Sequence, residues 1–240
     1  MLQDHFHPPL LGARHWEAFH SDWAGNLAAD LNRKLPEGWF AEPSVHFGIE
    51  IAPDVVSWNP TGIPADEHSI EPTWQPSAPQ LTLDFPLITD IVQVDVFDGT
   101  AGPILAGAIE LVSPSNKDRR ESRDAFVSKC EALLREARGL VVIDIVTARR
   151  ANLHHELLTR LGQSTSGHGT IYTASYGPAA RDDLTVLDIW LETLSIGGPL
   201  PSMPLFLKNG PCLQVDLAGT YQLTLDRQRI AKSSLLTAKG

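Results

Sequence analysis

The chain has 240 residues, and its apolar content of 42% is enough to bury a sizeable core in one large domain or two small ones. A charged content of 20% argues against a disordered chain, and a net charge of −10 argues against general, sequence-independent binding to nucleic acid. That balance still leaves room for a local basic groove, or for an acidic cleft whose charge a divalent cation offsets.

The sequence gives little indication of a targeting segment, and it contains few cysteines. No apolar run approaches the roughly 18 residues needed to cross a bilayer, and the first residues, MLQDHFHPPLLGARHW, lack the basic start and apolar stretch of a signal peptide. Cys130 and Cys212 are the only cysteines and form no CxxC pair, which disfavours a disulfide scaffold or a structural zinc site. We therefore expect a soluble, cytoplasmic protein with no membrane partner.

The first predicted element is an amphipathic helix over residues 16–34, where apolar side chains recur at three- and four-residue steps. Pro36 and Gly38 end it. Residues 45–58 alternate in the manner of one or two strands. Residues 59–79 are rich in proline and poor in apolar side chains, which indicates an excursion from the core.

The residue pattern in the central part of the chain predicts a strand–helix–strand unit. Residues 90–97 and 104–112 read as two strands joined by the turn segment DGTAGP, which favours a hairpin. A helix over 121–138 follows, with Gly139 as its stop. Residues 140–146 (LVVIDIV) form a continuous apolar run, typical of a strand buried on both faces.

The remaining elements are shorter. Asn152 is a plausible N-cap for a short helix that Gly162 ends. Strands are expected near 170–176 and 184–194, followed by the proline-rich turn GGPLPSMPL and a last helix over 216–230.

This order of elements predicts an α/β fold with a mixed sheet flanked by helices. The strands 90–97, 104–112 and 140–146 should share one sheet, with the second and third parallel. We expect a single domain over 1–240, with a core of about 16–162. Residues 163–240 should form a strand and helix extension packed on that core.

Three carboxylates are candidates for a catalytic or metal-binding site. Glu110 lies near the end of an apolar strand, where an unpartnered carboxylate would be costly to bury. Asp54 follows a proline at the start of VVSW, and Asp95 lies across the predicted hairpin. If the turn centres near residues 101–102, Asp95 and Glu110 are diagonal neighbours on one face, whereas a register slip of one residue separates them. The first carboxylate is therefore either Asp54 or Asp95.

Two lysines could complete that site. Lys129 lies beside the apolar stripe of the predicted helix 121–138, from which it could reach Glu110. Lys117, in the loop between strand and helix, is the second candidate. Carboxylates on adjacent strands can hold Mg²⁺ through oxygen, and a lysine can orient water or offset negative charge on a phosphate.

These motifs resemble a known family. The stretch IELVSPSNK, then Lys129, then LVVIDIV, together with WEAFH, APDVVSW, PLPSMPLFL and VDLAGTYQLTLD, resembles the DUF4058 family. The arrangement E-x-x-SPS…K is also similar to Uma-type proteins of the PD-(D/E)xK superfamily, in which the lysine has moved into the following helix. The resemblance implies a restriction-endonuclease-like core. Val112 occupies the usual lysine position of E-x-K, so Lys129 would have to replace it.

Other features have simpler explanations. SPSN could be a turn with side-chain-to-backbone hydrogen bonds. The basic residues of 117–138 indicate a helix surface of mixed charge as the first interpretation and an edge that faces phosphate as the second. The N-terminal histidines match no zinc spacing, and His20 falls on the apolar face of the first helix. That cluster comprises His5, His7, His15 and His20.

Two functions follow as hypotheses. The leading one is a divalent-metal-dependent nuclease or phosphodiesterase, a hydrolase that uses Mg²⁺, with Asp54 or Asp95, Glu110, and Lys129 or Lys117 in its site. The alternative is a catalytically inactive relative of the nuclease fold that binds a protein or nucleic acid partner, because fold alone does not decide activity.

Overall fold

The computed structural model describes residues 1–47, 90–163, 169–181 and 184–230. Asp54, the proline-rich stretch 59–79 and the part of 45–58 beyond Phe47 lie outside the described residues.

Five helices and eight strands make up the described fold. The helices are α1 (Trp16–Asn32), α2 (Pro114–Asp118), α3 (Arg120–Arg135), α4 (Leu153–Arg160) and α5 (Leu217–Arg227). The strands are β1 (Trp39–Phe47), β2 (Asp90–Asp98), β3 (Ile104–Leu111), β4 (Gly139–Asp144), β5 (Tyr172–Arg181), β6 (Leu184–Thr193), β7 (Ser202–Phe206) and β8 (Cys212–Asp216).

Six strands form one mixed sheet in the order β1-β2-β3-β4-β5-β6. Neighbouring strands are antiparallel except for β3 and β4, which are parallel and connected through α2 and α3. The predicted α/β class, the shared sheet and the parallel pair are thereby confirmed. Every residue of β4 is buried, as its continuous apolar sequence predicted.

Helices and a hairpin cover the two faces of the sheet. On one face, β7 of the β7–β8 hairpin lies so close to the sheet that a Cβ at Gly107, Gly139 or Gly177 would collide with Leu207 or Phe206. Gly107 on β3 pairs with Gly139 on β4, and Gly177 on β5 follows Tyr176, the partner of Leu140. Glu110 is an odd number of residues from Gly107, so its side chain points to the opposite face, which α3 covers.

The helix predicted over 121–138 is α3, and the short helix α2, which was not predicted, precedes it. Ser113 begins α2 with a capping box, in which Ser113 Oγ accepts from the Asn116 amide and Asn116 Oδ1 accepts from the Ser113 amide. At the far end α3 stops at Arg135, and Ala137 has the left-handed φ of 59° that ends the turn before Gly139.

The C-terminal part of the chain contributes strands to the main sheet. β5 and β6 pair in sequence onto β4, so this part supplies two of the six strands of the main sheet. The predicted turn GGPLPSMPL contains β7, and β8 was not predicted. The last helix, expected over 216–230, is α5, which packs against α1.

Within the ranges that the structure describes, no helix is long and apolar enough to cross a membrane.

Candidate functional site

Glu110 is a carboxylate enclosed by the sheet and α3. Its side chain on β3 is only 2% exposed, and its cross-strand partners are Gln93 on β2 and Val142 on β4. Oε2 accepts a hydrogen bond from Lys129 Nζ at 2.7 Å, whereas Oε1 is buried without a hydrogen-bond partner among the described residues. Burial raises the pKa of Glu110, and the neighbouring Lys129 ammonium opposes that rise.

Lys129 approaches this carboxylate from α3. Its side chain is 34% exposed, so the ammonium lies between the covered Glu110 and solvent. Besides Glu110, Nζ donates to Gln93 Oε1 at 3.3 Å and lies 5.4 Å from the centroid of the Phe126 ring. The helix therefore brings Lys129 to Glu110, as the position beside its apolar stripe suggested.

Asp95 lies on the same face as Glu110. In the register of β2 and β3, Gln93 pairs with Glu110 and Asp95 with Ala108, so the two carboxylates are diagonal neighbours. Gln93 Nε2 donates to both oxygens of half-buried Asp95, at 3.0 and 2.8 Å. Partial burial raises the pKa of Asp95, with Gln93 and Lys129 opposing the rise.

Across the β1–β2 pairing, exposed Glu42 stands opposite Asp95 and adds to the rise in its pKa. The outer part of the face is therefore acidic, while its inner part holds the Lys129–Glu110 ion pair. Of the two candidates for the first carboxylate, Asp95 is the one that the described residues place beside Glu110.

Lys117 belongs to a different cluster. Its Nζ pairs with Asp144 Oδ2 at 2.8 Å, both side chains being fully buried, and donates to the carbonyls of Val146 and Thr170. Burial raises the pKa of Asp144, and Lys117 opposes that rise. The expected role of Lys117 as a second lysine beside Glu110 is thus wrong in its geometry, because the ammonium ties the end of β4 to the segment before β5.

The face around Glu110 contains few potential metal ligands. No group of three or more His, Cys, Asp or Glu side chains in the described ranges is arranged to hold an ion. Magnesium is commonly held by one or two carboxylates, with waters and substrate oxygens completing its shell. Asp95 and Glu110, whose Oε1 has no hydrogen-bond partner, are the two carboxylates among the described residues that could contribute to such a shell.

The described contacts of the N-terminal histidines are hydrogen bonds, an ion pair and ring packing. His5 Nε2 hydrogen-bonds Tyr221 Oη at 2.7 Å, and His7 lies 3.0 Å from Asp4. His20 is fully buried against aromatic rings, and burial lowers its pKa to about 3. The packing expected for His20 is therefore confirmed.

A cavity of about 580 Å³ lies elsewhere, between the N-terminal segment and α5. Leu2, Pro8, Ile196 and Leu225 are among its lining residues, and none of the Glu110 neighbours lines it.

Gln93 is the site residue that reasoning from the sequence missed. The signal was available in the spacing Gln93-x-Asp95, because alternate residues of a strand share a face. Asp144 was missed as well, since its charge lies within an otherwise apolar run.

Comparison with known proteins found no matching family model, no matching curated protein and no matching solved structure.

Proposed function

We propose that the protein is a divalent-cation-dependent phosphodiesterase acting on nucleic acid, built on a restriction-endonuclease-like core of the DUF4058 type. Asp95 and Glu110 would hold the divalent metal ion. The Lys129 ammonium would be the positively charged catalytic side chain. Mg²⁺ is the cation that best suits two carboxylates and bound water.

The observation that supports this most directly is the unequal environment of the two Glu110 oxygens. Oε2 accepts from Lys129, whereas Oε1 is buried without a partner. A buried oxygen left unpaired costs free energy, so such groups call for a functional explanation. A cation or a proton on Oε1 would remove that cost.

Each side chain has a distinct role in the proposed site. Lys129, one-third exposed, can reach a phosphate oxygen while it remains beside Glu110. There it would offset the negative charge that develops during hydrolysis. Asp95, half-buried and nearer to solvent, would bind the cation from the open side. A bound divalent cation would lower the pKa of a coordinated water.

A second candidate function is partner binding without catalysis. Lys129 and Glu110 already balance each other's charge in a direct ion pair. The described residues contain no group of three potential metal ligands. A degenerate site of this kind could persist because the ion pair stabilises the sheet, while an exposed surface binds a protein or nucleic acid partner.

Cation titration followed by a cleavage assay separates the two functions. The purified protein would be titrated with Mg²⁺, Mn²⁺ and Ca²⁺ by calorimetry, then incubated with single- and double-stranded DNA and RNA. We expect weak cation binding and cleavage in the parent, and loss of both in Glu110→Gln. Glu192→Gln, which removes a carboxylate from an exposed position on β6, is the matched control.

If Glu110→Gln binds the cation as the parent does, Glu110 is not a ligand and the site is misassigned. If the parent binds nucleic acid without cleaving it in any of the three metals, the binding function replaces the enzymatic one.

A further inference from the structure

Gln93 touches both charged partners of the proposed site. It lies directly across from Glu110 in the β2–β3 register, and its side chain is half-buried. Its Nε2 lies 2.8 and 3.0 Å from the two Asp95 oxygens, and its Oε1 lies 3.3 Å from Lys129 Nζ. The amide thereby connects the outer carboxylate to the lysine.

The chemistry of the neighbours dictates which way the amide points. The Asp95 carboxylate can only accept hydrogen bonds when it is ionised, and the Lys129 ammonium can only donate them. The NH₂ group must therefore face Asp95 and the oxygen must face Lys129. Neither a carboxylate nor an apolar side chain of similar size can satisfy both partners.

We propose that Gln93 is a positioning residue, which holds the Asp95 carboxylate and the Lys129 ammonium in place on either side of the Glu110 oxygens. This inference rests on the proposed cation-dependent function of the same site. Partners in the layer around metal ligands commonly contribute 10- to 100-fold to affinity or activity by orienting the ligands.

The amide also explains why Lys129 leaves one Glu110 oxygen unpaired. With acceptors at Glu110 Oε2 and Gln93 Oε1, the ammonium is drawn toward β2 and has no need to bridge both Glu110 oxygens. Removal of the Gln93 oxygen leaves Glu110 Oε2 as the only side-chain acceptor of Lys129 among the described residues, so the ammonium is held less firmly and can move across the position proposed for the cation.

The test compares Gln93→Met, which keeps the length of the side chain and removes both hydrogen bonds, with the parent. Mg²⁺ affinity measured by calorimetry should fall about 10- to 100-fold, and kcat for nucleic acid cleavage should fall more than KM changes. Gln222→Met is the matched control, because Gln222 makes the same kind of bond to Asp226 on α5. Affinity within twofold of the parent in Gln93→Met would overturn the inference.

A second readout needs neither cation nor substrate. The Lys129 ammonium can be observed by ¹⁵N NMR, and its order parameter should fall in Gln93→Met. In Gln93→Glu it should stay at the parent value, because a carboxylate oxygen still accepts from Lys129. Equal order in Gln93→Met and the parent refutes positioning. If the parent binds no cation and cleaves nothing, the proposed function fails, while this measurement still decides the part played by Gln93.

Discussion

Replacement of Lys129 by methionine is the sharpest test of the electrostatics at Glu110. The change keeps most of the apolar stem and removes the only hydrogen-bond donor that the described residues provide to the Glu110 carboxylate. Loss of one partner from a fully buried ion pair costs about 3–5 kcal/mol. Because Lys129 is 34% exposed, water can enter in its place, and we expect about 2–3 kcal/mol at pH 7.

Protonation of Glu110 sets an upper limit to the electrostatic part of that cost. From the ordinary pKa of 4.5, holding the group neutral at pH 7 costs at most about 3.4 kcal/mol, at 1.36 kcal/mol per pH unit. At pH 5 the same limit is about 0.7 kcal/mol. The folded variant holds a proton that the unfolded chain releases above pH 4.5, so its stability falls as the pH rises.

Urea unfolding of the parent and of Lys129→Met at pH 5 and pH 7, followed by circular dichroism, measures this difference. The destabilisation should be clearly larger at pH 7. The double variant Lys129→Met with Glu110→Gln is the control and should lose the additional pH dependence. An equal destabilisation at both pH values would refute the argument, because it would mean that Glu110 is not a buried carboxylate dependent on Lys129.

Three further predictions concern stability, each measured by urea unfolding. Lys117→Met should cost about 3–5 kcal/mol because it removes the ammonium partner of the fully buried Asp144 carboxyl group, and the double variant with Asp144→Leu should recover part of that loss. Ser113→Ala should cost about 1 kcal/mol by removing the capping interaction with Asn116 at the start of α2, and a loss below the error of the measurement would contradict it. His20→Phe should reduce acid sensitivity. The folded protein holds His20 neutral down to about pH 3 while the unfolded chain binds a proton below 6.5, so the parent loses about 2 kcal/mol from this group at pH 5 and the variant should not.

Periodicity was sufficient to predict most of the central elements. The apolar run of β4, the helix before it and the strand pair β2–β3 each bury one or two faces in a way that the sequence displays directly. The proline-rich segment around β7 was not predictable in this way, because proline is rare inside strands. β7 and β8 form a separate two-stranded sheet, in which proline interrupts no pairing of the main sheet.

The register of β2 and β3 depends on a β-bulge that the sequence pattern does not indicate. Between Val96 and Phe97 the pairing shifts by one residue, with Ala106 as the additional residue on β3. Had the pairing of Phe97 with Leu105 continued unshifted, Glu110 would have faced Val92, whose side chain points to the other face. The bulge therefore brings Glu110 and Asp95 together, and only the choice between registers could be stated beforehand.

The cluster around Lys117 was misassigned for a related reason. Both lysines lie after Glu110 in the chain, and spacing alone does not reveal which carboxylate each one meets. Lys117 precedes α3 and turns toward Asp144 at the end of β4, whereas Lys129 lies in the third turn of α3 and reaches back over β3. The direction of the helix across the sheet separates the two.

The position of Val112 explains why the site needs a lysine from the helix. Val112 is fully buried, and its amide donates to the carbonyl of Ile143 on the parallel neighbour β4. A lysine at this position would start from the apolar core, where desolvation of its charge is costly. Lys129 meets the same Glu110 from α3 with one-third of its side chain exposed, so its charge is only partly desolvated. The parallel crossover from β3 through α3 to β4 is therefore what places a partly exposed lysine beside the buried Glu110 carboxylate.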